Sequence, residues 1–561
     1  MVLVSCIRRL AIGGYCPLAN TYRGSPPGDS GHSYKLFRMD SDDLANYSCH
    51  LYFRIDHMAE MEGREMSGLA VGLVVVFMLI ALLFIVISRF GYKLTKANNV
   101  MSFFLGDQTF GPLVSAMTFS ATLFSAFVLV GLSGFFYTHG AGSWAYVGFG
   151  DTLMVVMIII FGFPLWLLTK KYGYITPFGY LKQRYESKWP SIVAAAISVV
   201  FLIPYMSLQL VGIGKLLNGL TNGQLPYLFG VFLTALLCIL VTQVGGMRTV
   251  AWTDALQGLY MFAIALILAF LFLGWEFKGS LAYLFQRVAE VKPELLSPPG
   301  PKGFLSHGMI LSLIIMTIFM PVSQIQLSQR YMIIRDRNSF GRVLLGTAIV
   351  PFIAVLPAMI FGFGGKVLWP NLPSGDMAFM KIMTTYFSWP AIIAGSVAVF
   401  AACFSTVDSQ VLALGSTISQ DIYGNLSPAA SESLSLKIGR WSMVILILIT
   451  ALVSISPAPL IVMLAVASYS FTLQLVPTMM GALYWRRGTA TGAVASMLVG
   501  VGIMLAIQYK VVTFPGTIDK SLWGLMFGIV AYIIGSLATK PSEKGIEDVI
   551  GYLKSLRAKT G

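Results

Sequence analysis

The chain has 561 residues, of which 56% are hydrophobic and only 11% charged, and its mean hydropathy is +0.77. Soluble domains carry roughly 25% charged residues, so the composition excludes an ordinary soluble enzyme or binding module. It describes a polytopic protein embedded in a lipid bilayer. The net charge of +14 does not point to nucleic acid, because Lys and Arg fall mainly in short loops between apolar segments, where they set topology.

The first 65 residues are polar, irregular and mixed in charge, with no continuous apolar run of the kind a signal peptide carries. Residues 1–66 read either as a polar, disordered N-terminal tail or as a gene-model extension upstream of a true start at Met61 or Met66. Cys6, Cys16 and Cys49 lie in this region, and Cys238 and Cys403 lie within apolar segments. No C-x-x-C spacing occurs and the histidines do not cluster, so neither a zinc site nor a disulfide framework is expected. No cofactor is expected either.

Residues 67–540 form one membrane domain, followed by a short C-terminal tail, 541–561. At about 20 apolar residues per crossing, thirteen spans are predicted: 67–88, 110–137, 143–169, 190–216, 226–244, 250–274, 306–329, 341–364, 388–420, 437–456, 458–484, 489–509 and 521–539. With span 1 starting outside, inside loops and the C-terminal tail hold 22 Lys and Arg, and outside loops hold 8. That asymmetry places the C-terminus in the cytoplasm.

Spans 2 and 7 are unusual. Span 2 carries Thr118, Ser120, Thr122 and Ser125 within apolar sequence, and span 7 carries Pro321, Ser323, Gln324, Gln326 and Ser328. Interrupted apolar segments at matching positions in two halves are a pointer to a transporter binding site. They lie five spans apart, which predicts two repeats, about 110–274 and 306–484, inverted because each holds an odd number of helices. Gln324 and Gln326, beside Pro321, offer amide donors and acceptors where the backbone should open. Thr118, Thr122 and Ser125 share that cavity by the repeat argument. The alternative for the amides is bonding between helices.

Span 4 brings Tyr205 and Gln209 onto one face, next to Pro204, with Lys215 near the outer end. Lys215 either attracts an anionic solute or snorkels to the headgroups. Asp151 in span 3 has no assigned role beyond pairing with Tyr146 or a facing hydroxyl. No cluster of Arg or Lys is expected at mid-depth.

Span 9 holds the most informative run, Ala401-Ala402-Cys403-Phe404-Ser405-Thr406-Val407-Asp408-Ser409-Gln410. Polar groups at membrane depth are costly unless they face a partner, an ion or water, and a hydroxyl pair suits Na⁺, which prefers oxygen ligands. The competing reading is that Ser405 and Thr406 bond their own helix carbonyls. Asp254, together with Asp408 and Ser409, forms a possible second cation site or an inner relay. Asp254 is otherwise a helix cap or a partner of Arg248, and Asp408 a buried acid bonded to nearby hydroxyls or kept protonated.

Three groups of residues together resemble the sodium/solute symporter family, the solute carrier family 5-like carriers, over about residues 67–540. They are Phe103-Phe104-Leu105-Gly106 leading to Phe110-Gly111-Pro112; Gly245-Gly246-Met247-Arg248 followed by Trp252-Thr253-Asp254 and Gln257; and Ser405 to Gln410 with Asp421-Ile422-Tyr423 beyond. The resemblance implies an all-α fold with a five-plus-five inverted repeat and broken helices, the LeuT-like architecture. It implies a sodium ion, the only metal expected, held by the carbonyls of Ala121, Phe124 and Ala402 and the hydroxyls of Ser405 and Thr406. It also places Tyr205 near the solute. Tyr172-Gly173-Tyr174-Ile175-Thr176-Pro177 and the Pro204–Ile213 stretch resemble the monocarboxylate branch within a monocarboxylate/proline-like group.

The function expected is sodium-coupled import of a small organic solute across the plasma membrane. A short-chain monocarboxylate comes first, proline-type amino acids second, pantothenate third, and proton coupling is the alternative to sodium. A sensor lacks room for a signalling domain after residue 540, and an enzyme lacks a convergent catalytic set. Oligomeric state cannot be read from the sequence.

Overall fold

The computed structural model of the chain describes residues 68–95, 99–125, 127–301, 303–429, 431–456 and 461–560. Both readings of the N-terminal segment concern residues outside this set. Among the described residues the fold is helical, with no β-strand and one isolated bridge between Phe110 and Ile334.

The principal helices are α1 (Gly68–Thr95), α2 (Pro112–Leu123), α3 (Phe127–His139), α4 (Ala141–Tyr172), α5 (Trp189–Leu220), α6 (Tyr227–Gln243) and α7 (Gly245–Phe277). They continue with α8 (His307–Ile318), α9 (Ile325–Met332), α10 (Arg337–Leu368), α11 (Trp389–Leu426), α12 (Glu432–Val453), α13 (Ile461–Tyr484), α14 (Ala490–Gln508) and α15 (Lys520–Leu537). Within the described residues, each of the thirteen apolar stretches is helical, with 110–137 and 306–329 each broken into more than one helix. Among the described residues, nine helices are long and apolar enough to cross a bilayer, and α2 with α3 makes a tenth, bent by 50°. Gly68–Leu83, Tyr227–Gln243 and His307–Ile318 are shorter apolar helices, so the count of thirteen spans is an upper reading.

The boundaries follow local chemistry. Pro112 starts α2 at a position where its missing N–H costs nothing. The Asp336 and Ser306 side chains cap α10 and α8 by accepting from the Ser339 and Met309 amides. Gly246, at φ 55° and ψ −156°, turns the chain in the first turn of α7, where it leaves the direction of α6. A Cβ there would meet the Phe103 carbonyl at 2.5 Å, so the close approach requires glycine.

The two interrupted crossings break alike. After α2, Phe124 takes φ −90° and ψ 103°. Before α9, Gln324 takes φ −98° and ψ 103°. Matching backbone geometry at the two breaks supports the repeat inferred from their spacing. The 541–561 tail is itself mostly helical, over Glu543–Ile546 and Tyr552–Thr560, and Gly545 packs against the backbone of Gln183 and Arg184.

Candidate functional site: two polar clusters on one helix

Helix α11 carries both clusters, and α2 faces it. The last carbonyls of a helix have no intrahelical partner, and the break at Phe124 leaves those of α2 available. The Ser405 hydroxyl donates to the Ala121 carbonyl at 3.0 Å and to that of Ala402 at 3.2 Å. The Thr406 hydroxyl lies 3.1 Å from the Ala402 carbonyl and 3.3 Å from that of Thr122. Ala121, Phe124, Ala402, Ser405 and Thr406 are all buried. Each hydroxyl therefore bonds its own helix, as the competing reading expects, and also reaches across to α2. The arrangement is neutral and made of oxygens, at the negative end of a half-helix. Phe124 closes it on one side, its ring edge-on to Phe262 at 5.4 Å.

One turn along α11 the chemistry changes. Arg330 of α9 and Asp254 of α7 are both completely buried, and Arg330 Nη2 lies 3.1 Å from Asp254 Oδ2. The Thr118 hydroxyl donates to the same oxygen at 2.6 Å and the Ser409 hydroxyl at 3.3 Å. Arg330 also donates through Nη2 to Ser409 Oγ, through Nε to Thr122 Oγ1 at 3.2 Å, and through Nη1 to Met247 Sδ at 3.0 Å. Thr122 and Ser409 lie 3.0 Å apart.

Several expectations are corrected here. Asp254 neither caps a helix nor pairs with Arg248. It lies inside α7, and Arg248 instead pairs with Asp107 at 3.4 Å. The Thr118 and Thr122 hydroxyls bond within this ionic cluster. Asp408 is buried, and neither of its carboxyl oxygens has a well-formed hydrogen bond. Among the described residues, a single arginine, Arg330, is completely buried beside α11. Arg330 was legible as a charge next to an apolar run, but drawing span 7 to end at residue 329 turned it into a loop cation.

The other predicted residues gather around the two breaks. Tyr205 stands edge-on to Tyr469 of α13 with ring centroids 5.1 Å apart, and Gln209 Nε2 donates to the Tyr205 carbonyl at 3.2 Å. Gln324 Nε2 donates to Thr472 Oγ1 at 2.7 Å, and Gln326 Nε2 to Gln324 Oε1 at 3.2 Å. The Pro321 carbonyl accepts from the Ser328 hydroxyl at 2.8 Å. Ser125 sits at the α2 break and its hydroxyl accepts from the Phe127 amide at 3.2 Å. Tyr469 and Thr472 were missed, because α13 reads as an ordinary apolar span.

Lys215 neither snorkels nor stands open to solute. Its Nζ lies 2.7 Å from Asp376 Oδ2 in the segment between α10 and α11. Asp376 also accepts from the Ile461 amide at 3.3 Å. Burial raises the Asp376 carboxyl above its ordinary range, an effect that Lys215 opposes. Among the described residues, no group of three or more His, Cys, Asp or Glu side chains converges as a metal site would require.

The sequence model of the Sodium:solute symporter family matches residues 103–500. The sodium/pantothenate symporter of Haemophilus influenzae is 26% identical over 466 residues, covering 81% of this chain and 93% of that protein. The osmoregulated proline transporter OpuE of Bacillus subtilis is 25% identical over 501 residues, covering 83% and 95%. Among solved structures, a substrate-bound, outward-open Na⁺-coupled sialic acid symporter superposes with a TM-score of 0.70 at 18% identity, covering 86% of this chain and all of that one. That structure shares the fold.

Proposed function

The chain belongs to the sodium:solute symporter family and is a sodium-coupled membrane symporter, not an enzyme; we propose that its ion sits where α2 breaks against α11 and that its solute is of the pantothenate or proline type. The observation that carries the ion site is the pair of hydroxyls reaching across to α2, with Ser405 Oγ 3.0 Å from the Ala121 carbonyl. A sodium ion entering there replaces those hydrogen bonds with direct oxygen ligation by Ala121, Phe124, Ala402, Ser405 and Thr406. The ion thereby fixes the end of α2 to α11. Unwound carbonyls and a half-helix C-terminus are what transporters of this architecture offer a monovalent cation.

The solute occupies the space between the two breaks, bordered by Ser125, Tyr205, Gln324 and Gln326, with Tyr469 and Thr472 behind them. Ion and solute favour the same conformer, which couples their binding by about 1–3 kcal/mol. The relatives shift the solute ranking. Curated relatives of this chain carry pantothenate or proline in their names, and none of these supports the monocarboxylate first choice. Asp254, Asp408 and Ser409 serve as an inner relay for the ion. The orphaned Asp408 carboxyl is its receptive group, because Asp254 already carries Arg330. The charge asymmetry of the loops places the C-terminus in the cytoplasm of a cell whose plasma membrane holds the carrier.

Proteoliposomes test this. Uptake of labelled pantothenate or L-proline should saturate and should vanish when Na⁺ is replaced by choline. Uptake that persists in choline and follows a pH gradient would establish proton coupling instead.

A further inference from the structure

Beyond α15 the chain forms one more helical run, 543–560, which neither the ion nor the solute uses. The Ser542 side chain starts it by accepting from the Gly545 amide at 3.0 Å. Ile546, Val549, Ile550 and Leu553 are buried at the spacing of one helix face, while Lys554 and Ser555 are exposed. A helix of this kind owes its stability mainly to what its apolar face covers.

It covers a junction between the two repeats. On one side is the segment 173–188, which joins α4 to α5 in the first repeat and contains the short helix Gly179–Tyr185. On the other is the end of α13, in the second repeat, with residues 485–489 beyond it. Three side chains of the short helix already cross this junction. Tyr180 and Tyr185 donate to the carbonyls of Met479 and Thr478 at 2.7 and 3.1 Å. The buried Arg184 donates to those of Trp485 and Arg486 at 2.9 and 3.1 Å.

The C-terminal helix bonds both sides. Toward the first repeat, Asp548 accepts from Gln183 Nε2 at 3.2 Å and the Ser542 hydroxyl donates to Glu186 Oε2 at 2.5 Å. Lys171 Nζ of α4 stands over the Tyr552 ring, 3.8 Å from its centroid. Toward the second repeat, Glu547 pairs with Arg486 at 2.9 Å. Exposed ion pairs contribute little by themselves, so the apolar face and the closest backbone approach matter more. A Cβ on Gly545 would meet the Arg184 carbonyl oxygen at 2.2 Å and that of Gln183 at 2.8 Å. Glycine weakens a helix relative to alanine. Gly545 therefore serves the docking and not the helix.

We propose that the C-terminal helix is a clasp across the two repeats. Docked, it holds closed the side that the loop charges assign to the cytoplasm; released, it lets that side open. Carriers of this architecture rock one repeat against the other, and a bridge between the repeats biases that movement. An importer takes its ion from outside, so Na⁺ binds the conformer closed on the cytoplasmic side. Release of the clasp lowers the share of that conformer and weakens the apparent Na⁺ affinity. The effect on the ion rests on the symporter reading; the docking does not.

The test uses the full-length, detergent-purified protein as wild type, Gly545→Val, Val549→Asp and, on the exposed face, Lys554→Ala. Hydrogen exchange follows the tail, 543–553, and the junction, 179–185 and 485–489. The Na⁺ concentration giving half of the ion-induced thermal stabilisation reports the conformer. Gly545→Val and Val549→Asp should both speed exchange at tail and junction and raise that concentration about fivefold, the low end of coupling between linked sites. Lys554→Ala should match the wild type in both readouts. Exchange that stays slow in both tail variants overturns the proposal. So does faster exchange with an unchanged Na⁺ midpoint, since the helix would then be a structural cover only. A wild type that gains no stability from Na⁺ overturns the symporter reading and the bias with it, while faster exchange in the two tail variants would still establish the docking.

Discussion

The two polar clusters on α11 lie one turn apart and are opposites. At Ser405 and Thr406 the partners are neutral oxygens, two of them carbonyls reached across a broken helix. At Ser409 the partners are a positive and a negative group, Arg330 and Asp254, already paired with each other through one carboxylate oxygen. Both contain hydroxyls in a membrane-embedded core. Only the first has oxygens to offer without a cation of its own. Polarity at depth therefore does not identify an ion site. A receptive site needs ligands in surplus over the positive charge already present.

The largest expected effect comes from breaking the charged cluster. Removing one partner of a buried ion pair leaves the other uncompensated, at a cost of about 3–5 kcal/mol. Arg330→Met should thus lower the thermal unfolding midpoint of the detergent-purified protein strongly. The double variant with Asp254→Leu should regain much of the loss. A single variant as stable as wild type would show that Asp254 and Arg330 are not paired at rest.

Next comes the pair on the side that the charge asymmetry assigns to the exterior. Lys215→Met leaves Asp376 buried without its cation, and an unsatisfied buried group of this kind costs about 2 kcal/mol. Unfolding midpoints measure the loss, while the Na⁺ dependence of transport should be untouched, since the pair is remote from α2. A shift in that dependence would couple the outer pair to the ion. The neutral cluster should respond in the opposite sense. Ser405→Ala removes a hydroxyl without stranding a charge, so its resting stability should stay close to wild type.

The smallest effect is expected at a surface group that bonds to neither cluster. Asp336 caps α10, and its carboxyl is held down to about 2, first by Arg335 and then by the Ser339 amide. A depressed carboxylate contributes stability above its unfolded value of about 3.9, and that contribution is lost as pH falls toward 2. Asp336→Ala should therefore be slightly less stable than wild type at pH 7, and the difference should close on acidification below pH 4. A difference independent of pH would remove the charge from the explanation.

Much of this was legible before any coordinates. The interrupted crossings announced themselves through Pro321, the hydroxyls of span 2 and the amides of span 7, because helices in lipid admit such residues only where the backbone has somewhere to go. The facing of Ser405 and Thr406 toward the end of α2 came from the family resemblance, not from spacing; Ser405 lies within hydrogen-bond reach of the Ala121 carbonyl and Thr406 of that of Thr122. Arg330 was lost to a boundary error of one turn, since α9 continues to Met332. Its pairing with Asp254 joins residues 76 apart, and no periodicity reports that. Tyr469 and Thr472 were invisible for a related reason: a helix that lines a chamber on one side and packs on the other has no distinctive composition. The solute ranking leaned on short segments such as Tyr172–Pro177, which the folded chain uses elsewhere. Tyr172 there donates to the Asp548 carbonyl of the C-terminal segment at 2.7 Å, so it reports on tail docking rather than on solute.

The central claim is that Na⁺ binds between α2 and α11 at the hydroxyl pair. Its most direct test is the Na⁺ concentration giving half of the ion-induced thermal stabilisation, measured without solute for wild type, Ser405→Ala and Thr406→Ala. Losing one of five oxygen ligands should raise that concentration about tenfold, equivalent to about 1.4 kcal/mol, in each variant. Wild-type Na⁺ dependence in both would place the ion elsewhere.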